Sequence, residues 1–240
     1  MKELENHCYL SASLICLDML RVLDQVQELS NAGLEMLHID ILDGHFSPSM
    51  PLGFELVKQL RKKTDLFFDC HVMVSSPEYY IEELIDIGVD QIAFHVETAD
   101  HVDGLINRIH NAGIRAGVAL KPSTPVSTLD YVIEKCDSVL LMLINPGYAS
   151  SAGEKQVSYA TRKIQDLHEL IHRNHSKAVI EVDGRISLDN MTQFPDYGVQ
   201  IYVGGTTCLD RSDLSGSVKK IHKLWGICLL YTSDAADDRI

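Results

Sequence analysis

No stretch of this 240-residue chain approaches the roughly 20 uninterrupted apolar residues that a membrane-spanning helix requires. The opening MKELENHCYL lacks the basic start and long apolar run of a secretory signal, so a soluble, cytoplasmic protein is expected. Nor is there an excess of positive charge. The formal net charge is -13, which argues against nucleic acid or an anionic membrane as partner. The same charge repels a phosphorylated substrate at long range, so any phosphate must be held locally by backbone N–H groups, helix N-termini or a metal. C-x-x-C spacing is also absent. The six cysteines, Cys8, Cys16, Cys70, Cys136, Cys208 and Cys228, are scattered, several within apolar runs, and read as reduced core thiols.

What the chain does have is length and 45% hydrophobic residues, enough for one sizeable core. Eight β-type runs follow in order: YLSASLI, MLHIDIL, LFFDCHVMV, QIAFHV, RAGVAL, SVLLMLI, AVIEV and QIYVGG. Between them lie amphipathic stretches such as DMLRVLDQVQELSNAG, PEYYIEELIDIG, HVDGLINRIHNAG and EKQVSYATRKIQDLHELIHRN, several closed by glycine. Strand and helix alternating eight times predicts parallel strands with crossover helices, an α/β fold. Near-continuous aliphatic strands predict burial on both faces. A single-domain (β/α)8 barrel follows; a doubly wound open sheet is the alternative, but no G-x-G-x-x-G follows the first strand. Helical patterning ends at Gly226, and CLLYTSDAADD then resembles a translated sequencing adaptor. The barrel domain is therefore expected over residues 1–226, with 227–240 a non-native tail in place of the natural C-terminus.

In a barrel of this kind the chemistry gathers where strands give way to βα loops. His38 and Asp40 are expected to close the second strand, Asp69, His71 and Met73 the third, His95 and Glu97 the fourth, and Glu181 and Asp183 the seventh. Residues two apart share a face, so His38 aligns with Asp40, and Asp69 with His71 and Met73. Two histidines and two carboxylates converging from strands two, three and seven suggest a divalent metal site, suited to zinc, iron(II), manganese or cobalt. The plainer alternative makes each histidine a hydrogen-bonded core residue and each aspartate a cap; convergence favours the metal. Asp43, out of phase and followed by Gly44, reads as a turn residue. Asp69, one layer deeper, is placed to orient a ligand histidine. His95 reads equally as ligand or structural histidine. Glycine-rich turns INPGYASSAG, VDGR and VGGTTC after strands six, seven and eight suit close backbone approach to a phosphate.

These segments bring a family into view. SASLICLD, HIDILDGHFSP, DCHVMV, FHVETADH, LKPSTPV, LLMLINPGY, EVDG and YVGGT resemble, in order and spacing, the motifs of the ribulose-phosphate 3-epimerase family over roughly residues 9–225. The resemblance implies a metal-dependent isomerase of carbohydrate metabolism, within the pentose phosphate pathway, that epimerises a ketose phosphate at C3. It implies one divalent ion held by His38, Asp40, His71 and Asp183, with Asp40 and Asp183 as the acid/base pair. Ser13, His71, Met73 and Met142 match substrate-contacting positions, and Gly147, Gly184, Gly205 and Thr206 fall in phosphate-binding segments. A small-molecule sugar phosphate is the implied partner, and a homo-oligomer is compatible.

Three departures stand out. Leu42 occupies a position where the family often has methionine. The sixth loop runs YASSAGEKQ instead of a Gly-Gly-Gln type segment, with Ser150, Ser151 and Gly153 as alternative donors. Arg185 replaces the second glycine of DGG, as an added phosphate contact or as an obstruction. SLICLD, DCHVMV and EVDG before a non-glycine resemble the branch acting on allulose 6-phosphate, so both a pentulose 5-phosphate and a hexulose 6-phosphate remain in view. A silent sugar-phosphate binding protein is the reading from another class. A lyase would need a catalytic lysine, and Lys121 lies inside the family's own LKPSTPV.

Overall fold

Alternation along each strand decides where its side chains go. The computed structural model describes residues 3–148, 151 and 153–226; the tail assigned to 227–240, and Ser150, lie outside the described residues. The strands are β1 (Tyr9–Ser13), β2 (Met36–Leu42), β3 (Phe67–Met73), β4 (Gln91–His95), β5 (Arg115–Leu120), β6 (Ser138–Met142), β7 (Val179–Asp183) and β8 (Val199–Gly204). They pair in sequence order, all parallel, and β8 closes on β1. In β2, Leu37, Ile39 and Ile41 face outward into the main apolar core, as do Phe68, Cys70 and Val72 in β3. The alternate residues point into the barrel. At its floor Met36 and Phe67 meet Tyr9 and Ile201 in an apolar plug.

The helices are α1 (Val22–Asn31), α2 (Phe54–Arg61), α3 (Pro77–Ile87), α4 (Val102–Asn111), α5 (Ala160–Arg173), α6 (Leu188–Gln193) and α7 (Leu214–Leu224). The longer ones lay apolar stripes on the barrel at helical spacing: Val22, Val26 and Leu29 in α1, or Ile164, Leu167 and Leu170 in α5. Burying each such Leu or Ile contributes about 2 kcal/mol. Pro77 opens α3, where a missing N–H costs nothing, and α6 begins with a reciprocal Ser187–Asn190 capping box. Among the described residues no helix is long and apolar enough to cross a membrane.

Two differences from the sequence reading have local causes. The first helix begins at Val22, not Asp18, because the Asp18 carboxylate accepts from Leu20 N at 3.0 Å and holds a turn. The connection from β5 to β6 carries two 3-10 turns, Val126–Leu129 and Ile133–Lys135, instead of an α-helix. Pro122 and Pro125 withhold backbone donors there, and Thr128 Oγ1 donates back to Pro125 O at 2.8 Å.

Gly88 ends α3 in the left-handed region at φ 77°, with open space where a Cβ would lie. Gly88→Ala therefore isolates backbone strain and should cost about 1–2 kcal/mol. The urea midpoint should fall with an unchanged slope.

Candidate metal centre and substrate pocket

The register of β2 on β3 builds the site. His38 lies beside Asp69 and Asp40 beside His71, two layers of inward-facing pairs. They stand within the strands, not at their ends as the sequence suggested, because the ladder continues through Ile41–Val72 to Leu42–Met73. Asp183 closes β7 beside Met142 of β6. His38, Asp40, His71 and Asp183 each offer a ligand atom, all within 4.8 Å of one another. Asp40 Oδ1 lies 3.4 Å from His38 Nε2 and 3.5 Å from His71 Nδ1. Those two nitrogens are buried and have no hydrogen-bond partner. Buried polar atoms without partners are costly, and two imidazole nitrogens and two carboxylates converging on one point fit a divalent cation.

Beneath this layer lies a second polar layer. Asp69 Oδ2 accepts from His38 Nδ1 at 2.8 Å and from Ser11 Oγ at 2.8 Å, while its Oδ1 accepts from Gln91 Nε2 at 3.0 Å. Gln91 also donates to Glu181 Oε2 at 3.2 Å and accepts from Arg115 Nε at 3.1 Å. His38, Asp69 and Glu181 would themselves form a three-residue ligand group, but His38 Nδ1 is already engaged by Asp69. The deeper layer orients the upper one. Ser11, Gln91 and Arg115 escaped the sequence reading; their only signal was period-two alignment with inward positions.

Electrostatics separates the carboxylates. Burial pushes Asp40 and Asp69 upward, but His38 outweighs it: Asp40 is held below the ordinary carboxylate range and Asp69 at about 2. His38 runs the other way: burial lowers it, yet Asp40 and Asp69 raise it well above the usual histidine value. Asp183 is raised by burial, and Asp40 adds to that against His38. Glu181 is pushed well up, first by burial and then by Asp69. Asp43, off this face, accepts from His45 N and Phe46 N at 2.8 Å and from Ser75 N at 2.7 Å, a turn residue as read. His95 Nε2 lies 3.0 Å from His71 Nε2, and its Nδ1 lies 3.0 Å from Glu97 Oε2. It stands behind the ligand group, and burial holds it neutral, down to about 4.

Above the cluster opens a cavity of about 250 Å³. Ser13, Asp40, Met73, Met142, Gly147, Asp183, Gly184, Gly205 and Thr206 all line it, and His71 lies buried beneath. Ser13 Oγ donates to Asp40 Oδ2 at 3.4 Å. Leu42 sits beside the two methionines on the apolar side. Glycine at 147 and 184 is demanded by packing before any ligand: a Cβ would meet Ser47 Oγ at 2.0 Å and Ile144 Cγ1 at 2.8 Å. Arg185 enters the rim at φ 56°, with Nη2 donating to Ser151 O at 2.6 Å and Nε buried without a partner. Gln156, also unread in the sequence, braces this rim by donating to Gly184 O at 2.8 Å and Arg185 O at 3.2 Å.

A closed parallel barrel with a buried histidine–carboxylate cluster opening on a cavity above it is the architecture of a (β/α)8 enzyme. Residues 9–209 match the ribulose-phosphate 3 epimerase family, and the chain belongs to that family of isomerases. It is 32% identical to the ribulose-phosphate 3-epimerase of Buchnera aphidicola subsp. Schizaphis graminum, covering 90% of this chain and 93% of that one. It is 34% identical to the ribulose-phosphate 3-epimerase of Treponema pallidum, covering 85% and 92%. Among solved structures, 3-hexulose-6-phosphate synthase from Salmonella typhimurium superposes with a TM-score of 0.65 at 17% identity, over 90% of this chain and 98% of that one. That last likeness speaks to the fold alone.

His38→Ala and His71→Ala should each leave an incomplete ligand shell and purify with a small fraction of the wild-type divalent metal content. Elemental analysis of both variants checks this; full stoichiometry in both would remove the metal site.

Proposed function

We propose that the chain interconverts the C3 epimers of a ketose phosphate, D-ribulose 5-phosphate and D-xylulose 5-phosphate, using Asp40 and Asp183 as its two acid/base groups. The observation that carries this reading is the pair of carboxylates arriving from β2 and β7 on one cavity, within the same ligand cluster as His38 and His71. Inverting a carbon next to a carbonyl needs a base on one face and an acid on the other. Asp40 takes the C3 proton from one side and Asp183 returns one to the other, and the roles exchange in reverse. Their opposite displacements suit the task, one carboxylate ready to accept and one more ready to hold a proton. His38, Asp40, His71 and Asp183 would hold the divalent ion, which when bound supplies positive charge that acidifies the C3 proton and stabilises the enediolate. Met73, Met142 and Leu42 keep the reacting carbons from water without offering a competing proton. Ser13, beside Asp40, reaches a substrate oxygen.

For the phosphate, Gly147, Gly184, Gly205 and Thr206 form the rim, and Arg185 adds the only basic side chain among the lining residues. With Nη2 holding Ser151 O, its guanidinium keeps further N–H donors for a phosphate oxygen. The same observation keeps a second substrate in play. An arginine reaching from a changed rim suits the longer D-allulose 6-phosphate, whose phosphate lies one carbon farther from C3. Parallel assays of both substrates decide between them. A silent binding protein is disfavoured by the gathering of both aspartates and both histidines on one cavity, and turnover of either substrate excludes it.

Two outcomes are expected. With saturating metal, Asp40→Asn and Asp183→Asn should each abolish epimerisation, yet each should still exchange the C3 proton of a different epimer with deuterated solvent, followed by NMR. Exchange from the same epimer in both variants would exclude a division between faces. Arg185→Gly, which relieves the left-handed backbone while deleting the cation, should raise KM by about 10–100-fold with kcat little changed, the worth of one charge-assisted hydrogen bond. An unchanged KM would remove Arg185 from the phosphate site.

A further inference from the structure

We infer that Glu97 and His95 are positioning residues that determine which nitrogen of His71 is open to a cation. The inference rests on the reading of His71 as a ligand. An ionised carboxylate only accepts. One oxygen of Glu97, Oε1, is occupied by the backbone N–H of Lys121 at 2.7 Å and by the Thr124 hydroxyl. The other, Oε2, faces His95 Nδ1 at 3.0 Å, so that nitrogen carries the proton. A neutral imidazole has one N–H, which leaves His95 Nε2 as an acceptor. It faces His71 Nε2 at 3.0 Å, and that nitrogen must donate. In its neutral form His71 therefore has its proton on Nε2 and a lone pair on Nδ1, the buried atom without a partner that lies 3.5 Å from Asp40 Oδ1.

Everything around the relay holds its geometry. His95 is wholly buried, Phe46 stacks on it at 4.8 Å between ring centroids, and Lys121 Nζ lies 4.2 Å from the centroid of Phe46. Glu97 thus ties the loop after β5 to the ligand set. On His38 the arrangement is shorter, because Asp69 takes its Nδ1 directly and leaves Nε2 without a partner. One histidine presents Nε2 and the other Nδ1, and a carboxylate stands at the end of each arrangement.

The discriminating variant is Glu97→Gln, which changes no volume. The amide oxygen keeps the Lys121 and Thr124 contacts, so the NH2 turns toward His95 Nδ1 and the relay inverts, placing a proton on His71 Nδ1. Titration of the metal-free chain with cobalt(II) should show affinity reduced about 10–100-fold, while its thermal melt matches the wild type. In a His95→Phe background the relay is already cut, so Glu97→Gln should cost nothing more. A role confined to packing predicts equal losses in both backgrounds. Nitrogen-15 spectra of the metal-free wild type at mildly alkaline pH read the proton on His71 directly. A proton on Nδ1 there, unchanged cobalt affinity in Glu97→Gln, or equal losses in both backgrounds would overturn the inference. If wild-type protein and His38→Ala took up cobalt alike, the ligand reading would fall instead, and the proton position on His71 would still decide the relay.

Discussion

The hydrogen bond from His38 Nδ1 to Asp69 Oδ2, 2.8 Å long and wholly buried, is the contact around which the barrel interior is organised. A carboxylate at that depth is tolerable only when donors surround it, and Asp69 draws them from β1, β2 and β4 through Ser11, His38 and Gln91. Gln91 extends the layer to Arg115 on β5 and Glu181 on β7. Removing one partner of such a buried pair costs about 3–5 kcal/mol, because the other charge is left uncompensated. The same layer guards the register. A slip of one residue would turn His38 and Asp69 into the apolar layer beneath the helices and bring Leu37 and Phe68 inward.

Stacked on this floor, the upper layer inherits its order. Asp69 occupies one nitrogen of His38, so the other can only face Asp40. Four carboxylates lie close together here, two in each layer, and Arg115 is the nearest fixed positive charge below them. Such a concentration drives the acidic groups apart in proton affinity, with Asp40 and Asp69 low and Asp183 and Glu181 high. A divalent cation is the complementary charge the upper layer lacks. Stability and the shape of the site meet in one network: the spread that makes the buried charges bearable also leaves two unlike carboxylates on one cavity.

Much of this was legible beforehand because the strands carry the signal twice, as aliphatic runs and as polar residues at period two. His38, Asp40 and His71 stood out as ionisable groups inside apolar segments, and Asp183 ended another such run. Their depth was not legible. The run MLHIDIL already had Asp40 as its fifth residue, but its layer inside the barrel is set only by pairing with β3 through Leu42–Met73. Gln91, Ser11 and Arg115 were invisible for a related reason: a polar residue opening or interrupting a strand looks like an edge until its neighbours across the barrel are known. The 3-10 turns after β5 lacked a helical period, and the count of alternations hid that. Gln156 works only through contacts 28 to 34 residues away.

The rim presents a different balance from the floor. At Arg185 a non-glycine side chain is held at φ 56°, in a region that costs an L-residue about 1–2 kcal/mol over glycine. Glycine would fit the turn with less strain, so the side chain must return something for its conformation. Part of the return is visible: Nη2 donates to Ser151 O and thereby ties the β7 turn to the altered loop after β6. Nε is buried without a partner, and the side chain lines the cavity together with Gly184 and Thr206. On a chain of net charge -13, which repels anions at a distance, a guanidinium strained into that place acts only on an anion already in the pocket. Attraction at the rim is therefore short-ranged, whereas the histidine–carboxylate layer gathers its charge inside the barrel.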